Sequence, residues 1–308
     1  MPLALIIVLI VLGALIIIFL IILFSIYHLI FYSPKKWQAN DYALNSSPVY
    51  KGKEEIITKL IDDLKARPYE DIYIKSFDKL KLHARLFENK QSRKVAILCH
   101  GYRGTGYRDF CGGAKEAIEL GYSVILIDHR AHGASKGHSI TFGIKESKDL
   151  LSWVDYAKNR FGNDIELVLI GISMGGATVL MASDKVNNAK IIADCPFTSP
   201  KIMLKETVRA LKLPVAILYP LICLAALIYA HVNINKTSAF DSIKNTTNKV
   251  LIIHGDSDTI VPNWISRDLY EAYPDKIQYE VFPGAEHGMS YLKDMTRYQN
   301  IIREFLNK

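Results

Sequence analysis

The chain has 308 residues, 50% of them hydrophobic and 22% charged, with a net charge of +7 at pH 7. It is long and apolar enough for one sizeable globular core. The lysine excess is spread rather than clustered, which argues against a nucleic-acid partner, and four scattered cysteines without metal-ligand spacing fit a reducing compartment and no metal site.

Residues 1–34 contain no lysine or arginine, so the net charge resides on 35–308. Leu3–Phe24 is apolar apart from Gly13 and as a helix would span roughly 33 Å, enough for the hydrocarbon of a bilayer. A cleaved secretory signal would carry a basic start and an apolar stretch of only about 7–15 residues. The expectation is a retained transmembrane anchor, residues 1–34, meeting the bilayer through residues 3–32. Lys35, Lys36, Lys51 and Lys53 follow it and no basic residue precedes it. The positive-inside rule then predicts a single-pass protein of the cell membrane with its folded domain in the cytoplasm. The basic surface would add a modest attraction to anionic lipid.

Residues 35–69 read as a polar connector with one helix, Glu54–Lys65, ending before Pro68. Asp71–Ile74 and Leu80–Phe87 alternate as a strand pair. Further strands are expected at Val95–Cys99, Ser123–Asp128, Ile165–Ile170, Lys190–Ala193, Val250–His254 and Gln278–Phe282, with helices at Lys145–Asn159, Gly176–Lys185 and Met295–Phe305. Such alternation implies an α/β fold, a mostly parallel sheet with helices on both faces, over residues 70–308.

Three strand ends carry chemistry. Gly171-Ile172-Ser173-Met174-Gly175 spells G-x-S-x-G between a strand and a helix, a context that holds a serine at the apex of a sharp turn. A serine hydroxyl is a poor nucleophile and needs an imidazole to take its proton. The imidazole needs a carboxylate to fix its tautomer and stabilise the imidazolium. Asp256 and Asp258 follow the strand ending at His254, and His287 follows the strand ending at Phe282. Ser173 is therefore the candidate nucleophile and His287 the base, with Asp256 and Asp258 competing as the acid. Glu286 reads as solvated, and His83 and His138 as strand or surface residues.

With His100-Gly101, Asp128-His129-Arg130-Ala131-His132-Gly133-Ala134-Ser135, Gly171–Gly176, His254-Gly255-Asp256-Ser257-Asp258 with Val261-Pro262, and His287, the chain resembles the serine hydrolases of the α/β-hydrolase superfamily. The nearest resemblance is to monoacylglycerol-lipase-like and serine-aminopeptidase-like hydrolases in a membrane-anchored bacterial form, and it covers about residues 70–308. It implies an α/β-hydrolase fold, selects Asp258 over Asp256 by the H-G-x-x-D-x-x-V spacing, and leaves Asp256 to cap a turn. It also implies an oxyanion hole of two backbone N–H groups, those of Tyr102 and Met174, whose side chains are expected to be incidental. His100, His129, His132 and His254 are expected to hydrogen-bond loop backbone. Ala131 departs from the resemblance, since relatives often have glycine there, which tightens the loop without touching the chemistry.

Residues 200–247, between the sixth and seventh strands, fall where this superfamily inserts a lid. Leu213–Val232 has no charged side chain except His231 and is long enough to be a second span. A crossing there would separate Ser173 from Asp258 and His287, and Pro214 and Pro220 interrupt the helix, so an apolar lid beside the anchor is expected. Triad, lid and anchor together point to hydrolysis of a small-molecule or lipid ester through an acyl-enzyme, with no cofactor. A thioesterase, a peptidase or amidase of the aminopeptidase type, and an inactive membrane-tethered binding module are the alternatives. Leu213–Val232 lacks the acidic group that would hold a substrate ammonium, which weighs against the aminopeptidase, although Glu206 lies nearby.

Overall fold

A computed structural model describes residues 2–34, 40–42, 44 and 48–307; Lys35 and Lys36, on which the orientation expectation leans, lie outside them. Eight strands form the sheet: β1 (Glu70–Lys75), β2 (Lys81–Phe87), β3 (Lys94–Cys99), β4 (Ser123–Asp128), β5 (Glu166–Ile172), β6 (Ala189–Asp194), β7 (Lys249–Gly255) and β8 (Ile277–Phe282). Their order is β1-β2-β4-β3-β5-β6-β7-β8. The β1–β2 and β2–β4 pairs are antiparallel, and all pairs from β4 through β8 are parallel. β4, antiparallel to β2 and parallel to β3, is fully buried, as a central strand covered on both faces must be.

One face packs against helices Ile144–Phe161 and Met174–Ala182, burying Trp153, Val154, Val179 and Leu180 with Ile97, Leu169 and Ile252. The other face buries Ala96, Leu98, Leu126 and Leu251 against Ile302 and Phe305 of helix Met295–Asn307 and against Phe110, which ends the short helix Gly106–Asp109. Helix Glu54–Lys65, expected as part of a connector, contributes Ile57, Ile61 and Leu64 to that second core. Its apolar residues recur at helical spacing, so it docks instead of floating. The sheet reverses direction of growth between β3 and β5. Ligand crevices form at such a switch point, beyond the carboxyl ends of the strands.

A third cluster lies above that crevice. Helix Leu3–Ile30 has mean hydropathy 3.8 over an 18-residue window, none of it buried, and is long and apolar enough to cross a membrane. Its last turns dock on the domain: Leu23, Tyr27 and Phe31 are buried with Phe142, Phe197, Ile222, Ala225 and Ala226. The expected lid consists of helix Pro200–Ala210, then helix Val215–Ala225 continuing as a π-helical turn, Ala226–Ala230. The prolines do not break it. Pro214 stands just before the first turn, where its missing N–H costs nothing, and Pro220 forfeits only one bond inside the helix. His231, at φ 55°, ends the π-turn. Helix Ala239–Asn245, at the end of the insertion, returns to the main core through Ala239 and Ile243.

Candidate active site

β5 ends at Ile172 and the next helix begins at Met174, two residues earlier than expected, because Ser173 itself is the turn. Its backbone lies at φ 56°, ψ −114°, a conformation costly for a side-chain-bearing residue and typical of functional turns. The glycines are steric necessities: a Cβ on Gly171 would lie 2.1 Å from the Gly175 carbonyl oxygen, and one on Gly175 only 1.7 Å from the Cys99 oxygen. The Ser173 N–H donates to Asp194 O at 2.8 Å, pinning the turn to β6.

The three side chains separated by up to 114 positions meet. His287 Nε2 lies 2.8 Å from Ser173 Oγ, and His287 Nδ1 lies 2.7 Å from Asp258 Oδ2. Asp258 Oδ1 accepts the N–H groups of Ile260 and Val261 at 2.9 and 2.8 Å. His254 Nε2 approaches Asp258 Oδ2 at 3.2 Å and bonds Val261 O at 2.9 Å, while its Nδ1 meets Ser266 Oγ at 2.6 Å. Burial alone would raise the Asp258 carboxyl, but the bonds from His254 and His287 outweigh it and hold it well below the usual carboxylate range. An ionised Asp258 fixes the proton of His287 on Nδ1 and leaves Nε2 free to accept from serine. Asp256 does other work: its Oδ1 accepts the Gly284 N–H at 2.7 Å, bracing the loop before His287. Glu286 is exposed.

The turn after β3 presses against the serine, since a Cβ on Gly101 would sit 3.3 Å from Ser173 Cβ. Its amides are nearly all engaged. Gly101 N–H donates to Asp109 Oδ2 at 2.8 Å, Arg103 N–H to His132 Nε2 at 3.0 Å, and Gly104 N–H to Gly101 O at 3.1 Å. Among the described residues, the N–H groups of Tyr102 and Met174 have no protein acceptor; Met174 directly follows Ser173 in the chain, and Tyr102 directly follows the Gly101 that packs against it. His132 Nδ1 bonds Arg130 O at 2.9 Å, and burial pushes its ring down to about 3, so it stays a neutral brace between two turns. His100 likewise bonds Gly101 O through Nδ1 and the His129 N–H through Nε2. The His129 ring, by contrast, has no hydrogen-bond partner among the described residues. His138 is exposed, and His83 is a buried residue of β2, bridging Asp128 at 2.7 Å and Asp71 at 2.8 Å.

Two features lay beyond the sequence motifs. Asp109, held by Arg108 Nε at 2.8 Å, orients the turn through Gly101. Burial would raise its carboxyl, yet the Arg108 charge, the neighbouring His100 and the bonds from the Gly101 N–H and Arg108 together outweigh that and lower it. A D–F pair eight residues past a glycine carries no signal by itself. The Tyr102 side chain is also not incidental: its hydroxyl donates to Ile30 O at 2.7 Å, while Arg103 donates to Leu29 O at 2.9 Å and Tyr32 O at 3.1 Å. The turn thus caps the end of the apolar N-terminal helix. Ala131 adopts φ 61°, the left-handed region where glycine is at no disadvantage.

Ser173 and His287 line a cavity of about 1660 Å³ whose walls are mainly apolar. Cys195 Sγ comes within 4.0 Å of His287 Nε2, and with Asp258 the three offer ligand atoms within 4.8 Å of one another. Burial raises the Cys195 thiol well above its ordinary value, and Asp258 and His287 are already bonded to each other. A protonated thiol and an engaged pair make a poor metal site.

A family model described as alpha/beta hydrolase fold matches residues 95–215. An uncharacterised Bacillus subtilis protein, YqkD, is 30% identical over 196 residues, 62% of this chain and 64% of its own length, so the match spans a little under two thirds of that relative. An uncharacterised Mycobacterium tuberculosis protein is 26% identical over 242 residues, covering 77% of this chain and 79% of that one. Among solved structures, the Pyrococcus furiosus esterase Pf2001 superposes with a TM-score of 0.63 at 24% identity, over 80% of this chain and 94% of the esterase.

Proposed function

From this α/β-hydrolase fold, we propose that the protein is a membrane-anchored serine hydrolase that cleaves carboxylic esters with apolar acyl groups. Ser173 attacks the ester carbonyl as His287 Nε2 takes its proton, forming a tetrahedral intermediate. The N–H groups of Tyr102 and Met174 stabilise the oxyanion, each donor being worth about 3–4 kcal/mol. His287 then protonates the departing alcohol, leaving an acyl-Ser173 that water, activated by the same imidazole, hydrolyses. Asp258 keeps the ring oriented and balances its charge.

The observation that carries this reading is the unbroken hydrogen-bonded chain from Ser173 Oγ through His287 to Asp258 at 2.8 and 2.7 Å. The apolar cavity around Ser173 supports an apolar acyl group, and the helix Leu3–Ile30 supports attachment at the membrane. Thioesters would use the same machinery.

A series of p-nitrophenyl esters of increasing chain length tests it. Turnover should rise from acetate to medium chains, and Ser173→Ala should lower it by at least about 10³-fold. Undiminished turnover in Ser173→Ala would remove the nucleophile, and a preference for acetate would remove the acyl reading.

A further inference from the structure

We infer that the acyl chain reaches Ser173 sideways from the bilayer, through a mouth between the last turns of helix Leu3–Ile30 and the lid, the helix itself forming one wall of the acyl site. This rests on the hydrolase reading above. The cavity that exposes Ser173 and His287 is also lined by Ile26, Leu29 and Ile30 of that helix and by Leu213, Leu218 and Ile222 of the lid. An anchor that served only as a tether would have no reason to enter the substrate cavity.

The rim of the cavity is apolar and uncovered. Leu29 is 72% exposed, Leu211 63%, Leu213 45% and Ile260 42%, and all four line the same cavity. A ring of exposed leucine and isoleucine is unfavourable against water and suits contact with lipid. Its position along the helix agrees. The helix has 28 residues, a hydrocarbon core takes about 20, and the remainder spans roughly 12 Å, so Leu29 lies no farther than that from the hydrocarbon edge. The lid runs beside the same stretch, with the Tyr229 hydroxyl donating to Leu20 O at 3.2 Å and its ring edge-on to Phe24 at 5.5 Å. Leu227, two residues before Tyr229, is 54% exposed. The occupant these features fit is one acyl chain of a membrane lipid, its ester held at headgroup level beside Ser173. The deeper lining, Ala96 and Val168, continues the cavity along the strands: Val168 precedes Ser173 by five residues, roughly 16 Å of strand.

The test uses the protein with residues 1–308 reconstituted in phosphatidylcholine–phosphatidylglycerol vesicles. Leu29→Trp and Leu213→Asp should each lower the ratio of vesicle-borne 1-oleoylglycerol turnover to p-nitrophenyl acetate turnover by at least tenfold. An unchanged ratio overturns the lateral mouth. Independently of turnover, a benzoylphenylalanine in place of Leu213 should, on irradiation, add the mass of a phospholipid. Absence of any lipid adduct overturns the proposal as well. Lipid adducts on a protein whose unsubstituted form cleaves no ester would instead sink the hydrolase reading and leave the lipid-facing rim standing.

Discussion

Ser173 occupies its strained turn only because Gly171 and Gly175 leave room for two backbone crossings, and because Asp194 O takes its N–H. Asp194 has a second role. Its side chain, 2% exposed, accepts from the Tyr298 hydroxyl at 3.0 Å, and burial pushes its carboxyl up to about 6, the Tyr298 bond offsetting only part of that. A carboxyl whose folded value lies above its unfolded value of about 3.9 binds its proton more tightly in the native state. Its contribution to stability is therefore fully present below pH 4 and is lost as the pH rises through 6, on the order of 2–3 kcal/mol. Asp194→Asn removes this dependence. Thermal denaturation should show the variant gaining on the wild type between pH 4.5 and pH 8; a constant difference across that range would mean that Asp194 is ionised throughout.

At the scale of elements, the turn after β3 and the end of helix Leu3–Ile30 are one unit. The last carbonyls of a helix lack internal partners, and here Tyr102 and Arg103 supply them. The amide proposed to hold the oxyanion belongs to the same Tyr102. Deleting residues 1–34 should thus lower kcat on a soluble acetyl ester several-fold, beyond its effect on membrane attachment, and Tyr102→Phe should reproduce part of that loss. Equal kcat for the deleted and undeleted forms would show the clasp to be mechanically idle. This coupling was not legible in the sequence, because a side chain bonding a carbonyl 72 positions away leaves no periodic or local trace. The strands were legible to within two residues: β4 matches its expected range, since buried central strands are continuous apolar runs between turn signals. That the G-x-S-x-G serine, an aspartate after β7 and the histidine after β8 come together was also readable, because the chemistry proposed for them needs fixed residue types at strand ends. Helix Glu54–Lys65 was placed correctly but its docking was not, as a short amphipathic helix looks the same on a linker and on a core.

On the scale of the whole molecule, the apolar helix, the insertion between β6 and β7 and the crevice at the switch point between β3 and β5 share one apolar cluster. A crossing by Leu213–Val232 would have split the three side chains between two sides of a membrane. The structure instead folds that segment back as a helix with a terminal π-turn against the first helix. What the molecule does hangs on whether the hydrogen-bonded chain at its centre is a working one, and a fluorophosphonate reports on that directly. Peptide mapping by mass spectrometry after reaction should find the adduct on Ser173, with labelling abolished by His287→Ala. An adduct on another residue, or labelling that persists without the imidazole, would contradict the account.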